Sequence, residues 1–286
     1  MEVGIGLPST IPGTGRDQML EWARRADARG FSTLGTIDRI VYPCHEPLIA
    51  LAAAAAVTER IRLATTILLA PTRANGALLA KQAATLDVLS GGRLVLGVAV
   101  GRRDDDFRAC GVDFHARGRI LDEMLDLCAR IWDGEEFGAA GGIGPPPVGG
   151  RPALMLGGWA RAAFTRAARH GDGWTGGNCT LEELAHGTAR LRAAWEAAGR
   201  EGAPRTMVQP YYALGDHAEH AVASCLGDYY GSEGAYTDAI VARAATDAET
   251  VRENVRAFAE AGCDELIFFP CDPDPDQVDL LADALQ

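Results

Sequence analysis

The stretch IRLATTILLAPTRANGALLAKQAATLDVLSGGRLVLGVAVGRRDDDF, residues 61–107, decides the fold. Residues 61–69 are a near-continuous apolar and β-branched run closed by Pro71, the pattern of a strand buried on both faces. Residues 78–89 follow with helical spacing, placing Leu78, Leu79, Gln82, Leu86 and Leu89 on neighbouring turns. Gly91 and Gly92 stop this helix, and 93–100 is a second buried strand ending at Gly101. Strand, helix and strand in that order make a parallel βαβ unit. In such units ligands gather beyond the carboxyl ends of the strands.

Working outward, the same alternation recurs along the chain. Strands are expected at 3–7, 31–37, 153–156, 173–176, 207–214 and 265–269. Helices are expected at 16–29, 46–60, 117–132, 161–170, 181–198 and 277–285, the third with Ile120, Met124, Leu127 and Ile131 on one face. Residues 217–261 read as helical but long, broken near the middle by Gly227, Gly231 and Gly234. GAAGGIGPPPVGG at 138–150 is a loop by composition. Eight alternations point to a (β/α)8 TIM barrel, one domain over residues 1–286. The rival is a doubly wound sheet. Gly4 and Gly6 supply a GxG after the first strand, but Pro8 and Pro12 stand where a phosphate-binding helix should begin.

At 286 residues with 48% hydrophobic content, the chain can bury a core without a disulfide or metal staple. A net charge of -12 argues against nucleic acid as a partner. There is no basic leader with a long apolar run and no membrane-length apolar segment, so a cytoplasmic protein is expected. None of the seven cysteines forms a CxxC pair, which signals reduced thiols rather than a zinc site or dithiol. Lys81 is the only lysine, leaving little room for Schiff-base chemistry.

Candidate chemistry lies at the strand ends. Asp38 and Arg39 close the second strand, where a carboxylate could orient a base or bond a cofactor, or simply pair to fix the loop. Cys44 and His45 lie just beyond, but adjacent side chains rarely face each other, and no third orienting group is evident. Arg102 and Arg103 after the fourth strand could meet an anion. Asp104, Asp105 and Asp106 read as a helix start, not a metal site. Gly157 and Gly158 let backbone approach a ligand closely, and the helix beginning near Ala160 aims its free N–H groups at the same place. That combination suits a phosphate, with Arg161 adding charge. Gly176, Gly177 and Asn178 could widen this site.

The segments TERIRLATTILLAPTR, LLAKQAATLDVLSGGRLVLGVAVG, GVDFHARGRILDEM and GGWARAAFTRAARHGDGW, in this order and spacing, resemble the bacterial luciferase-like monooxygenases, flavin-dependent barrel enzymes. The likeness covers nearly the whole chain. It implies reduced FMN, or in one branch the deazaflavin coenzyme F420, lying across the strand ends. The ring would rest near Gly6, on Thr66 and Ile67, and beside Ala99, Val100 and Gly101, with the phosphate on Gly157, Gly158, Trp159 and Ala160. Relatives often carry a non-prolyl cis peptide at the position of Thr66 and Ile67. Two departures stand out. Luciferase alpha subunits place a catalytic histidine where this chain has Arg39, and a phosphate-binding arginine where it has Val100, so Arg102 or Arg103 would have to substitute.

The resemblance therefore implies a flavin-dependent monooxygenase. A separate flavin reductase would supply reduced FMN, which would react with oxygen to a C4a-(hydro)peroxide and oxygenate a small organic substrate. Asp38 and Arg39 would position substrate or flavin, with Trp159 and Trp174 as walls. An F420-dependent hydride-transfer reductase or dehydrogenase is the alternative, and a non-catalytic flavin-binding protein the third reading. The alanine-rich second helix hints at a homodimer.

Overall fold

The computed structural model describes residues 1–231 and 234–286. The chain runs β1 (Glu2–Gly6), α1 (Arg16–Ala28), β2 (Thr33–Ile37), α2 (Pro47–Ala55), β3 (Arg62–Leu69), α3 (Gly76–Leu89) and β4 (Leu94–Ala99). It continues through α4 (Asp104–Ala109), α5 (Arg117–Trp132), β5 (Ala153–Gly157), α6 (Arg161–His170), β6 (Gly173–Thr175) and α7 (Leu181–Ala197). The last part holds β7 (Arg205–Val208), β8 (Tyr211–Tyr212), α8 (Ala218–Tyr230), α9 (Ala235–Arg243), α10 (Ala248–Glu260), β9 (Glu265–Pro270) and α11 (Asp276–Ala284). Strands β1 to β7 and β9 pair in parallel, and β9 returns to β1 from Glu2↔Glu265 to Ile5↔Phe268. The result is the expected closed eight-stranded barrel wrapped by helices. Residues 232 and 233, inside the long segment expected to be helical, lie outside the described residues.

Three elements differ from expectation, each for a tertiary reason. The second helix stops at Ala55, not near residue 60. The Asp27 carboxylate takes the N–H groups of Glu59, Arg60 and Ile61, while Arg93 donates to the carbonyls of Thr58 and Ile61. Satisfied this way, the backbone has no need of another helical turn. The seventh strand is split into β7 and β8 because Pro210 has no N–H to give. Its carbonyl accepts from Phe269 (2.7 Å), and Gln209 turns its N–H to Gly177 (2.9 Å). On α3 the inward face carries Leu79, Ala80, Ala83 and Leu86, whereas Leu78 and Leu89 are 50% and 66% exposed. Small residues face inward there because α5 packs close: a Cβ on Gly76 would lie 3.3 Å from the Met124 Cα.

The glycine-proline loop is pinned to α3 at two points. Lys81 Nζ donates to the Gly144 carbonyl (2.8 Å), and the buried Asp87 accepts from the Val148 N–H (2.8 Å). The apolar core has two parts, one between sheet and helices and one inside the barrel. The inner part contains Met155, Met207, Ile267 and Phe269 and continues outward to Val222 and Leu226 on α8 and Ile240 on α9.

The foot of the barrel is closed by one carboxylate. Glu265, 1% exposed, accepts from Ser32 Oγ (2.5 Å), Thr33 Oγ1 (2.6 Å), Arg62 (3.1 Å) and Arg205 (2.9 Å). Both arginines also reach Glu2. Glu265→Ala strands two arginines and two hydroxyls around an empty site. Removing one member of a buried pair costs about 3–5 kcal/mol, and because these arginines are one-third exposed a loss of about 2–3 kcal/mol is expected. Urea unfolding monitored by circular dichroism measures it. An unchanged midpoint would show that the barrel does not depend on this residue.

Candidate active site at the barrel mouth

The mouth is irregular where β2, β3 and β4 meet. The register shifts between Thr36 and Ile37 on β2 and between Thr65 and Leu68 on β3, so Thr66 and Ile67 form a bulge. Two threonines take over the interrupted ladder. Thr65 Oγ1 accepts from the Gly97 N–H and donates to its carbonyl (both 2.9 Å), and Thr66 Oγ1 donates to the Thr36 carbonyl (2.8 Å). Gly97 is obligatory, since a Cβ there would sit 2.0 Å from the Thr65 carbonyl oxygen. The cis peptide among the described residues is Gly144–Pro145; the bond joining Thr66 to Ile67 is trans.

Two large side chains floor the mouth because glycines make room for them. The Phe269 ring lies against Gly6 and Gly35, where a Cβ would come within 2.4 Å and 3.1 Å of it. The Ile67 side chain lies on Gly157, whose Cβ would fall 2.2 Å from Cδ1, beside Ala99. Gly6, Thr66, Ile67, Ala99 and Gly157 therefore do converge. Gly101 follows with φ +75°, and the half-buried Val100 precedes it.

Asp38 and Arg39 are both buried but do different things. Asp38 Oδ2 accepts from Leu69 N–H (2.8 Å) and Arg73 (2.6 Å), while Oδ1 is buried without a hydrogen-bond partner. Burial pushes the Asp38 carboxyl above the usual carboxylate range, against the pull of Arg73. Arg39 Nε is 3.0 Å from Asp106 Oδ2, and its Nη2 reaches Asp105 (3.3 Å) and the Val41 carbonyl (3.0 Å). The three aspartates that open α4 diverge. Asp104 pairs with Arg108 and Asp105 with Arg39, while the buried Asp106 also accepts from the N–H groups of Ile40 and Val41. Asp106 thus anchors the loop after β2, a role beyond the helix-start reading. Cys44 and His45 point apart: Cys44 Sγ faces the Arg39 carbonyl, and His45 Nε2 lies 2.8 Å from the Thr14 carbonyl. Burial pushes the Cys44 thiol up, away from the nucleophilic thiolate.

The sequence did not disclose the cover. Five of the six tyrosines join edge to face: Tyr42 on Tyr229 (5.1 Å), Tyr229 on Tyr230 (4.7 Å), Tyr230 on Tyr236 (5.7 Å), and Tyr211 on Tyr230. The guanidinium groups of Arg39 and Arg103 lie over Tyr229 at 5.8 and 5.5 Å, and that of Arg102 over Tyr236 at 4.7 Å. The Tyr211 and Tyr230 hydroxyls are 2.8 Å apart, and burial pushes Tyr230 up to about 12. A phenol held neutral there remains a hydrogen-bond donor. The clue was the adjacent tyrosines ending α8, but their partners in the loops after β2 and β4 are too distant in sequence to be inferred.

Beside the floor, the Gly157–Ala160 turn leads into the first residues of α6. Gly158 has φ +118°, and Trp174 Nε1 donates to its carbonyl (2.8 Å). Trp174 is fully buried and so holds this turn instead of forming a wall; Trp159, 39% exposed, rests edge-on against it at 4.8 Å. The N-terminus of α6 has no side-chain cap. Among the described residues, the N–H groups of Arg161 and Ala162 have no protein acceptor. Arg161 is the first residue of this helix, where a cation opposes the helix dipole unless an anion sits nearby. The carbonyls of Gly177 and Asn178 are already taken by Gln209 and Arg243.

A model of the luciferase-like monooxygenase family matches residues 1–244. An uncharacterised protein of Mycobacterium tuberculosis is 32% identical over 208 residues, 62% of this chain and 71% of that protein. An FMNH2-dependent dimethylsulfone monooxygenase of Pseudomonas fluorescens is 30% identical over 73% of this chain and 60% of its own length. An F420-dependent glucose-6-phosphate dehydrogenase of Kribbella flavida is 30% identical over 51% of this chain and 46% of its own length. In structure, an F420-dependent secondary alcohol dehydrogenase superposes over all of this chain and 99% of its own with a TM-score of 0.81 at 18% identity.

The raised carboxyl of Asp38 leaves a mark on stability. Its folded form holds the proton to higher pH than the unfolded chain, so stability falls as pH rises from the ordinary aspartate value through the folded one. Asp38→Asn is expected to remove that decline, read from unfolding free energies across the acidic range. Parallel pH profiles for the two proteins would refute it.

Proposed function

This chain belongs to the luciferase-like monooxygenase family, and from that premise we propose that it is an oxidoreductase moving hydride between coenzyme F420, a deazaflavin, and a small organic substrate. When bound, the cofactor supplies the hydride acceptor or donor. The chain supplies placement, exclusion of water and a proton site. The uncapped start of α6 and the Gly157–Ala160 turn would hold the phosphate, and the Phe269 and Ile67 floor would support the ring. The tyrosine-arginine cover keeps water from the reacting centre. Asp38 Oδ1, buried and without a partner, holds a proton.

One observation carries the choice of deazaflavin: Asp38 Oδ1 is buried at the strand ends without a hydrogen-bond partner, and hydride transfer to or from an alcohol needs such a proton site beside the cofactor. A second reading is oxygenation by reduced FMN delivered by a separate reductase. It is supported by the dimethylsulfone monooxygenase, whose match runs along 73% of this chain against 51% for the F420-dependent dehydrogenase.

Purified protein is offered oxidised F420 with a panel of alcohols and sugar phosphates, and separately reduced FMN with labelled oxygen and sulfones or ketones. Bleaching of the deazaflavin band with no label in any product is the expected result. Label incorporation with FMN and no bleaching with F420 would install the second reading. Asp38→Asn is expected to lower kcat about a hundredfold with little change in cofactor affinity. Loss of affinity with kcat intact would assign Asp38 to binding instead.

A further inference from the structure

A groove of about 810 Å³ lies between α6 and α7 on the outside of the barrel. Phe164, Ala168 and Ala194 form part of its floor, and four arginines line it: Arg161, Arg169, Arg190 and Arg200. Arg169 pairs with Asp126 (2.9 Å). The other three have no carboxylate within ion-pair distance among the described residues, in a chain whose net charge is -12. Two of them are held by backbone carbonyls instead. Arg190 donates to Trp159 (3.2 Å), and Arg200 donates to Ala168 (3.0 Å) and Gly171 (3.2 Å) while stacking 4.0 Å above Trp195. A guanidinium fixed this way is oriented but not neutralised.

One end of the groove adjoins the Gly157–Ala160 turn. Arg161 follows Ala160 directly, and the Trp159 carbonyl that anchors Arg190 belongs to the phosphate turn. At the far end Arg200 grips the last carbonyls of α6. Ten residues of α6 at 1.5 Å each separate the two ends by about 15 Å. An occupant entering at the phosphate turn would meet positive charge at both ends and apolar alanine between.

We propose that this groove is a subsite for the tail of a deazaflavin cofactor, in which a chain of glutamyl carboxylates continues beyond the phosphate. The proposal rests on the F420 reading above. Arg190 and Arg200 would pair with successive carboxylates, and the methylene groups between them would lie on the alanine floor. FMN, ending at its phosphate, would leave the groove empty.

Equilibrium titration by tryptophan quenching tests the proposal with three probes: F420 bearing its glutamyl tail, the same deazaflavin cut back to its phosphate ester, and FMN. Tailed F420 is expected to bind about tenfold tighter than the phosphate ester at low salt, the advantage fading as salt rises. Arg200→Gln, checked for native circular dichroism and melting temperature, should lose several-fold of that advantage while the phosphate ester binds as before; Arg190→Gln, which also frees the Trp159 carbonyl, should weaken both forms. Equal affinity for tailed and untailed forms overturns the groove assignment but leaves the F420 reading standing, as does equal loss of both forms in the Arg200 variant. No binding of either deazaflavin overturns both. Capture of an acidic peptide by the groove, with no tail effect, would likewise overturn it.

Discussion

A single buried carboxylate ties together strands far apart in the chain. Glu265 on β9 reaches Thr33 on β2, Arg62 on β3 and Arg205 on β7, and both arginines also bind Glu2 on β1. Five strands are thereby drawn together at the amino-terminal end, where β9 must close on β1. Charge buried this way is acceptable because Oε1 accepts three hydrogen bonds, Oε2 a fourth, and two guanidinium groups stand against the carboxylate. With closure secured at the foot, the opposite end can carry bulges, glycines and long loops. That division, stability below and chemistry above, is general to barrels of this class, and here it can be followed to individual atoms.

At the mouth the design works by subtraction. Gly6, Gly35 and Gly157 give up side chains so that Phe269 and Ile67 can fill the centre. Thr65 and Thr66 replace ladder bonds that the bulge removes. Arg39 stands where a luciferase would have a catalytic histidine, and here it is spent on Asp105, Asp106 and the tyrosine stack. Its fixed charge joins β2 to α4 and α8, so the cover and the strand ends behave as one packed unit.

Much of this was legible in the chain because local pattern and tertiary outcome agree. The limits of α5 and α6 follow from helical spacing, glycine and proline, and the eight strands from apolar runs between turn residues. The glycine turn before α6 and the uncapped start of that helix were readable too, since they are neighbours in sequence. What escaped depends on distant partners. The early end of α2 is set by Asp27 and Arg93, the anchoring role of Asp106 by the loop after β2, and the cover by residues as far apart as 42 and 229. No window of sequence contains both halves of those contacts.

Phe269 also sets a direction. Its buried ring packs so closely on Gly6 and Gly35 that even a Cβ there would come within 2.4 and 3.1 Å of it. A flat molecule resting on that floor offers only its upper face to the mouth. Under the proposed function, transfer from such a molecule would be single-faced, and a prochiral substrate beneath the tyrosines would receive the new bond from one side only.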